Sequence, residues 1–117
     1  AKRQEIVKQY REAFCTTKLR IVTEDSKCST SHLAVVRVPK EIGRDRFQNG
    51  LTVKGIQTAI HYPILDCDQQ GLPHRNTVDR VPESRTAKEE IISLPCFPEM
   101  TSSEVMTVIA TISEMLR

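Results

Sequence analysis

The chain has 117 residues, of which 38% are hydrophobic and 27% are charged, the composition of a globular protein with one modest core. Its apolar runs are only a few residues long, far short of the ~20 that a membrane span needs, and no signal-peptide pattern opens it. A net charge of +2 and 4% aromatic residues argue against a dedicated nucleic-acid binder. We therefore expect one soluble, cytoplasmic domain over residues 1–117, without membrane or nucleic-acid partners.

The first predicted element is a helix over residues 1–14, with an apolar stripe at Ile6, Val7, Tyr10, Ala13 and Phe14. It begins without a capping side chain, which suggests a chain cut from a longer protein, although an ordinary frayed terminus would look nearly the same.

The middle of the chain predicts strands separated by one helix. Residues 19–22 have weak strand character, and residues 33–38 form a run of small and β-branched residues typical of a buried strand. Residues 45–54 predict a helix that Gly55 stops, and residues 56–62 alternate as a second strand that Pro63 closes.

The last third of the chain carries two capping-box patterns. Thr86 with Glu89 predicts a short helix, and a short strand follows at residues 92–94. Thr101 with Glu104 predicts a longer terminal helix, whose core-facing stripe comprises Val105, Val108, Ile109, Ile112 and Leu116. This order of elements predicts an α+β fold with a small sheet and helices packed on one side.

Residues 63–85 form a long loop that departs from this regularity. The 23 residues contain three prolines and one glycine and show no periodicity. Loops longer than about 12–15 residues are uncommon in compact domains and are usually functional or disordered. The prolines favour a shaped loop, so we expect a site there.

Neither the cysteine spacing nor any familiar catalytic motif indicates a particular reaction. The four cysteines, at positions 15, 28, 67 and 96, form no Cys-x-x-Cys pair and have no zinc-finger spacing to the histidines. We expect free thiols and no metal site. Glycine-rich phosphate loops, G-x-S-x-G and H-E-x-x-H are all absent.

The best local site candidate is His61 with Tyr62, where the second strand meets the long loop. Such side chains can transfer protons or bind a polar ligand. A histidine at the end of a strand is, however, more often a packed structural residue. Asp66 and Gln69 lie in a polar stretch that either faces a ligand or is a solvated loop surface. Arg37, near a strand end, is expected to extend into water rather than to form a buried ion pair.

Several segments together resemble one family. They are SHLAVVRV at 31–38, RDRF through VKGI at 44–56, TAIHYPI at 58–64, IISLPCFPEMT at 91–101 and the opening residues 2–13. In this order and spacing they resemble the C-terminal portion of the DegT/DnrJ/EryC1/StrS aminotransferases. These enzymes use pyridoxal phosphate to place an amino group on nucleotide-linked keto sugars.

The resemblance implies the small C-terminal domain of an aspartate aminotransferase-like fold, in which residues 1–14 are the lead-in helix. In such enzymes a large N-terminal domain holds the cofactor and its lysine, and nothing in this chain matches that domain. The implied partners are that large domain, a second subunit of a homodimer and the nucleotide sugar. Mapped onto this chain, His61 and Tyr62 are the substrate-side residues, with Asp66 and Gln69 behind them, and no catalytic or cofactor-binding residue is expected.

The run from His61 to Asp66, followed by Gln69, is most similar to members that aminate a 3-keto dTDP-hexose. Those members typically have His where this chain has Cys67, and often Pro where it has Gln70. The resemblance implies an inactive isolated domain that belongs to an enzyme of surface-polysaccharide (lipopolysaccharide or O-antigen) synthesis. Two alternatives stay open. One is a stand-alone, non-catalytic domain that binds a sugar nucleotide or a protein, and the other is a regulatory dimerisation module.

Overall fold

The computed structural model describes residues 1–65, 68–71 and 81–117. These ranges contain helices α1 (Lys2–Phe14), α2 (Arg44–Val53), α3 (Pro82–Glu90) and α4 (Ser102–Met115), and strands β1 (Arg20–Ile21), β2 (Ala34–Arg37) and β3 (Ile91–Leu94). Within them no helix combines the length and the apolar character that crossing a membrane requires. The prediction of an α+β fold is confirmed.

The strands form one antiparallel sheet in the order β1-β2-β3. In its centre β2 pairs Val36 with Ile21 of β1 and with Ile92 of β3. Alternate residues of β2 are buried, as expected for a strand with one face toward the core. Helix α1 packs against β1, α2 packs against β3, and α4 contacts both α1 and α2.

The core lies between the sheet and the helices, and Tyr10 of α1 is its largest fully buried side chain. The predicted α1 stripe is confirmed, since Ile6, Val7, Tyr10 and Phe14 are all buried. The Tyr10 hydroxyl donates a hydrogen bond of 2.8 Å to the carbonyl of Pro95. Burial raises the pKa of Tyr10, so the hydroxyl stays protonated and joins α1 to the segment that follows β3.

The terminal helix has the predicted apolar stripe, but two residues of the stripe are less buried than the others. Val105, Val108 and Ile112 are buried, whereas Ile109 and Leu116 are only half-buried and pack at the edge of the core. The helix therefore anchors through Ile112 more than through Ile109.

Two predicted elements are wrong in extent. Residues 56–62 do not form a strand, because only Ala59 pairs, in an isolated bridge to Ser93. Tyr62 has a left-handed φ of 53°, which breaks an extended chain, and Pro63 cannot donate to a sheet.

The second correction concerns the start of α3. This helix begins at Pro82, four residues before the predicted cap, so the long loop ends at residue 81 rather than at 85. Proline is well suited to the first helical position because its missing N–H has no partner there. The Thr86 hydroxyl lies inside the helix and donates back to the Pro82 carbonyl at 3.1 Å, so Thr86 is not a cap.

The capping box of α4 is confirmed. The Glu104 amide donates to the Thr101 hydroxyl at 3.2 Å, and the Thr101 amide donates to the Glu104 carboxylate at 2.7 Å. The bond from the Thr101 amide lowers the pKa of Glu104 from its ordinary 4.5. The stabilisation from this carboxylate is therefore complete above pH 4.5 and is lost as the pH falls through the lower folded-state value.

The two threonines predicted as caps give a matched test. We expect Thr101→Ala to lower the free energy of unfolding by about 1 kcal/mol, because the first turn of α4 loses a hydrogen-bond acceptor. Thr86→Ala should change it by less than about 0.5 kcal/mol, since alanine suits a helix interior. Urea unfolding of both variants measures the difference, and equal losses would contradict the assignment of the caps.

Candidate functional site

The candidate site is built on the third strand, at Ser93. On one side Ser93 pairs with Val35 of β2, and on the other side it pairs with Ala59. The Ser93 amide donates to the Ala59 carbonyl at 2.7 Å, and the Ala59 amide donates to the Ser93 carbonyl at 3.2 Å. These bonds fix the chain just before His61 against the outer edge of β3.

The His61 ring is held by a second contact to the same residue. Its Nδ1 lies 2.9 Å from the Ser93 hydroxyl oxygen, which is hydrogen-bond distance. Ser93 is only 6% exposed, whereas His61 is exposed. The imidazole is thus anchored on its protein side while the residue remains open to solvent.

Tyr62 is the other exposed ring of this site. Its side chain is 82% exposed, and its ring centroid lies 6.5 Å from that of His61, with the planes at 50°. The left-handed backbone at Tyr62 costs free energy for any residue with a Cβ. Such strain concentrates at functional sites, and a large exposed ring on a strained backbone is consistent with binding.

A depression of about 300 Å³ lies beside His61 and Ser93, bordered also by Thr58 and Cys96. The Thr58 hydroxyl oxygen is buried and has no hydrogen-bond partner among the described residues. Burial raises the pKa of the Cys96 thiol, which makes this cysteine a poor nucleophile. The depression therefore offers polar groups for contact but no reactive thiolate.

Of the remaining two predicted site residues, only Gln69 falls within the described ranges. Asp66 lies outside the described residues, as does Cys67. Gln69 is exposed, and no hydrogen bond within the described ranges joins it to His61 or Tyr62. Its neighbour Asp68 accepts two hydrogen bonds, of 2.8 and 3.0 Å, from the Arg85 guanidinium of α3.

Helix α3 is fastened to the sheet by ion pairs that the sequence did not indicate. Arg37 of β2 pairs with Glu90, which is buried, and lies 3.6 Å from the Glu83 carboxylate. The prediction that Arg37 extends into water is wrong. The hydrogen bond to Glu90 raises the pKa of the Arg37 guanidinium, so the guanidinium keeps its charge.

The described residues do not provide a pocket for the cofactor's lysine. All seven lysines of the sequence fall within the described ranges; six are exposed and Lys88 is half-buried. A lysine that binds a cofactor aldehyde works in a shielded pocket. No lysine of this chain is shielded in this way by the described residues. Nor do any three histidine, cysteine, aspartate or glutamate side chains in the described part of the chain gather closely enough to hold a metal ion.

A larger depression, of about 820 Å³, lies away from His61. It is bordered by α2 and the end of α4 and includes Lys18, Glu41 and Arg46. Lys18 and Glu41 pair across 3.4 Å, so part of its charge is already neutralised. Of the predicted site residues within the described ranges, which are His61, Tyr62 and Gln69, none borders it.

Sequence reasoning missed Ser93, which is the residue that organises the site. A usable signal was present, because Ser93 is the one hydroxyl in the otherwise apolar strand Ile91–Leu94. A buried hydroxyl costs free energy unless it forms a hydrogen bond, so such a residue predicts a partner. The sequence does not say that the partner is His61.

Comparison with known proteins identifies the class of this fold. The family model described as "DegT/DnrJ/EryC1/StrS aminotransferase family" matches residues 1–113. The chain belongs to this family.

A curated relative is the dTDP-3-amino-3,6-dideoxy-alpha-D-galactopyranose transaminase of Aneurinibacillus thermoaerophilus. It is 34% identical over 113 residues, which cover 96% of this chain and 30% of the relative. The chain thus spans about a third of the length of such proteins.

Solved structures agree on the fold. A DegT DnrJ EryC1 StrS aminotransferase from Brucella abortus superposes with a TM-score of 0.83 at 21% identity, covering 97% of this chain and 30% of that one. The Bacillus subtilis protein NtdA, crystallised with bound cofactor PMP, gives a TM-score of 0.82 at 22% identity, with 98% and 28% covered. At these identities the likeness establishes the fold alone.

The strained backbone at Tyr62 gives a prediction for stability. Tyr62→Gly should leave the free energy of unfolding unchanged or raise it by up to about 1 kcal/mol, because glycine adopts the left-handed conformation without penalty. Tyr62→Val should lower it by about 1 kcal/mol, since a β-branched residue fits that backbone poorly.

The control is Ile64→Gly, at a neighbouring exposed position without a positive φ. It should lower the free energy of unfolding, by about 0.5 kcal/mol, because glycine adds freedom to the unfolded chain. Chemical denaturation of the three variants measures the effect. If Tyr62→Gly lowered the free energy of unfolding as much as Ile64→Gly does, the backbone at Tyr62 would not be strained.

Proposed function

We propose that this chain is the C-terminal small domain of a pyridoxal-phosphate-dependent aminotransferase that aminates a nucleotide-linked keto sugar. The observation that carries the proposal is the exposed His61–Tyr62 pair, held by Ser93 on β3, in a chain that belongs to this aminotransferase family. The dTDP-linked amino sugar in the name of the Aneurinibacillus relative supports a dTDP-linked 3-keto hexose as the substrate.

In this proposal the work is divided between two domains. The large domain binds the cofactor, which supplies the electron sink for amino transfer, because no lysine of this chain is shielded enough to do so. His61 and Tyr62 contact the sugar nucleotide from the small-domain side, with Asp66 and Gln69 as further substrate-binding residues. This chain alone is then inactive.

The setting of the enzyme belongs to the same proposal. We place it in the cytoplasm as a homodimer, with a product that supplies a deoxyamino sugar for a surface polysaccharide such as lipopolysaccharide or O-antigen. The amino-dideoxy sugar in the relative's name supports the deoxyamino sugar in this setting.

A stand-alone, non-catalytic domain that binds a sugar nucleotide is the competing function. The exposed lysines are compatible with it, because such a protein needs no cofactor lysine. The two functions differ in whether the protein that contains this chain transfers an amino group.

The test is amino transfer by the full-length protein that contains this chain, with a dTDP-linked 3-keto-6-deoxyhexose and L-glutamate, followed by mass spectrometry. We expect turnover, and we expect His61→Ala to raise the KM for the sugar nucleotide by about tenfold, the value of one hydrogen bond to a charged group. Asn49→Ala, at an exposed position of α2, is the control and should match the unmodified protein.

Each result decides between the proposals. Binding of the sugar nucleotide without any amino transfer favours the non-catalytic domain. Turnover with a KM that His61→Ala leaves unchanged contradicts the role assigned to His61. Unchanged turnover after removal of the large domain would contradict the division of work.

A further inference from the structure

We infer that Ser93 is a positioning residue, which holds the His61 imidazole through Nδ1 so that Nε2 is left for the sugar nucleotide. This inference rests on the proposed function, because it deepens the role given to His61. It stands on the 2.9 Å contact between the two side chains.

The backbone of Ser93 is fixed on both sides, so its hydroxyl can occupy only a few staggered positions. The residue pairs with Val35 on one side and with Ala59 on the other, and it is buried. A hydroxyl on such a strand has few alternative places, so the contact orients the ring rather than following it. The Ala59 bridge also limits where His61 can be, because only Ile60 separates the two.

The direction of this hydrogen bond decides what the other ring nitrogen can do. A neutral imidazole has one donor nitrogen and one acceptor nitrogen. When the Ser93 hydroxyl donates to Nδ1, the proton is on Nε2, which then becomes a donor. Phosphate and keto oxygens accept hydrogen bonds, so this tautomer is the one that suits a keto sugar nucleotide. In histidine sites generally, the hydrogen bond at one ring nitrogen decides whether the other nitrogen donates or accepts.

The chemistry of the strand argues for the same pairing. The other residues of β3 are Ile91, Ile92 and Leu94, and an apolar residue would fill position 93 without the cost of burying a hydroxyl. Among the described residues the hydroxyl has one hydrogen-bonding side chain, that of His61. The hydrogen bond to His61 therefore offsets the cost of burying the Ser93 hydroxyl.

The experiment compares Ser93→Ala, Ser93→Thr and the control Ser102→Ala in the full-length protein labelled with ¹⁵N-histidine. Ser102 is exposed in the first turn of α4. Nitrogen chemical shifts report the tautomer of His61, whose signals are assigned by their loss in His61→Gln. Steady-state kinetics with the dTDP-linked 3-keto-6-deoxyhexose report KM and kcat, and urea unfolding shows that each variant is folded.

We expect the unmodified protein and Ser102→Ala to show His61 protonated at Nε2. Ser93→Ala should give a mixture of tautomers and raise KM about 3- to 10-fold, the value of one neutral hydrogen bond, with kcat within about twofold because binding alone is weakened. Ser93→Thr, which keeps the hydroxyl, should restore both readouts. Where the threonine variant does not fold, Ser93→Ala against Ser102→Ala decides the matter.

Unchanged nitrogen signals in Ser93→Ala would overturn the inference, and so would a raised KM without a change of tautomer, since a purely structural serine gives that result. A changed tautomer with no effect on KM in either Ser93→Ala or His61→Ala would overturn the part of the inference that concerns the ligand. It would at the same time count against the proposed role of His61, whereas failure at Ser93 alone leaves that role intact.

Discussion

The pairing of β3 on both of its edges is the constraint on which the rest of the site depends. β2 occupies one edge, and the single bridge at Ala59 occupies the other. Without that bridge the chain from Ile56 to Pro63 would have no backbone hydrogen bond to the sheet among the described residues. With it, His61 is brought within hydrogen-bond distance of a buried serine.

The other end of the long loop is held by charge rather than by sheet pairing. Arg37 connects β2 to Glu90 and Glu83 of α3, and Arg85 of the same helix forms a two-pronged pair with Asp68. Paired, partly buried guanidinium groups of this kind fix geometry better than exposed lysine pairs do. Both ends of the loop are thus fastened to one small sheet, which gives the His61–Tyr62 pair a rigid support.

Regular elements could be predicted from the sequence wherever periodicity and capping acted together. The stripe of α1 and the capping box at Thr101 are local features, and both are present in the structure. Local pattern failed where a single nearby residue overrode it. Residues 56–62 alternate like a strand, yet the left-handed backbone of Tyr62 ends the pairing after one bridge. Thr86 matches a capping box, but Pro82 starts the helix a turn earlier.

The candidate site could be predicted only in part, because its contacts join residues that are far apart in the sequence. His61 and Tyr62 follow from the chain itself, because they end an apolar stretch at the start of an irregular loop. Ser93 is 32 residues away from His61, and the partner of Arg37 is 53 residues away. No spacing rule reaches such contacts, because the bridge of Ala59 to β3 creates the first and the antiparallel register of β2 and β3 creates the second.

Hydrogen exchange at individual amides tests most directly whether the bridge between Ala59 and Ser93 holds the site in place. Amides that donate within the sheet should exchange slowly: Ala59 and Ser93, which donate to each other's carbonyls, should be protected like Val38, which donates to Glu90. The amide of Ile60, beside the bridge, should exchange much faster. Exchange of Ala59 as fast as that of Ile60 would contradict the claim that the bridge to β3 holds the site in place.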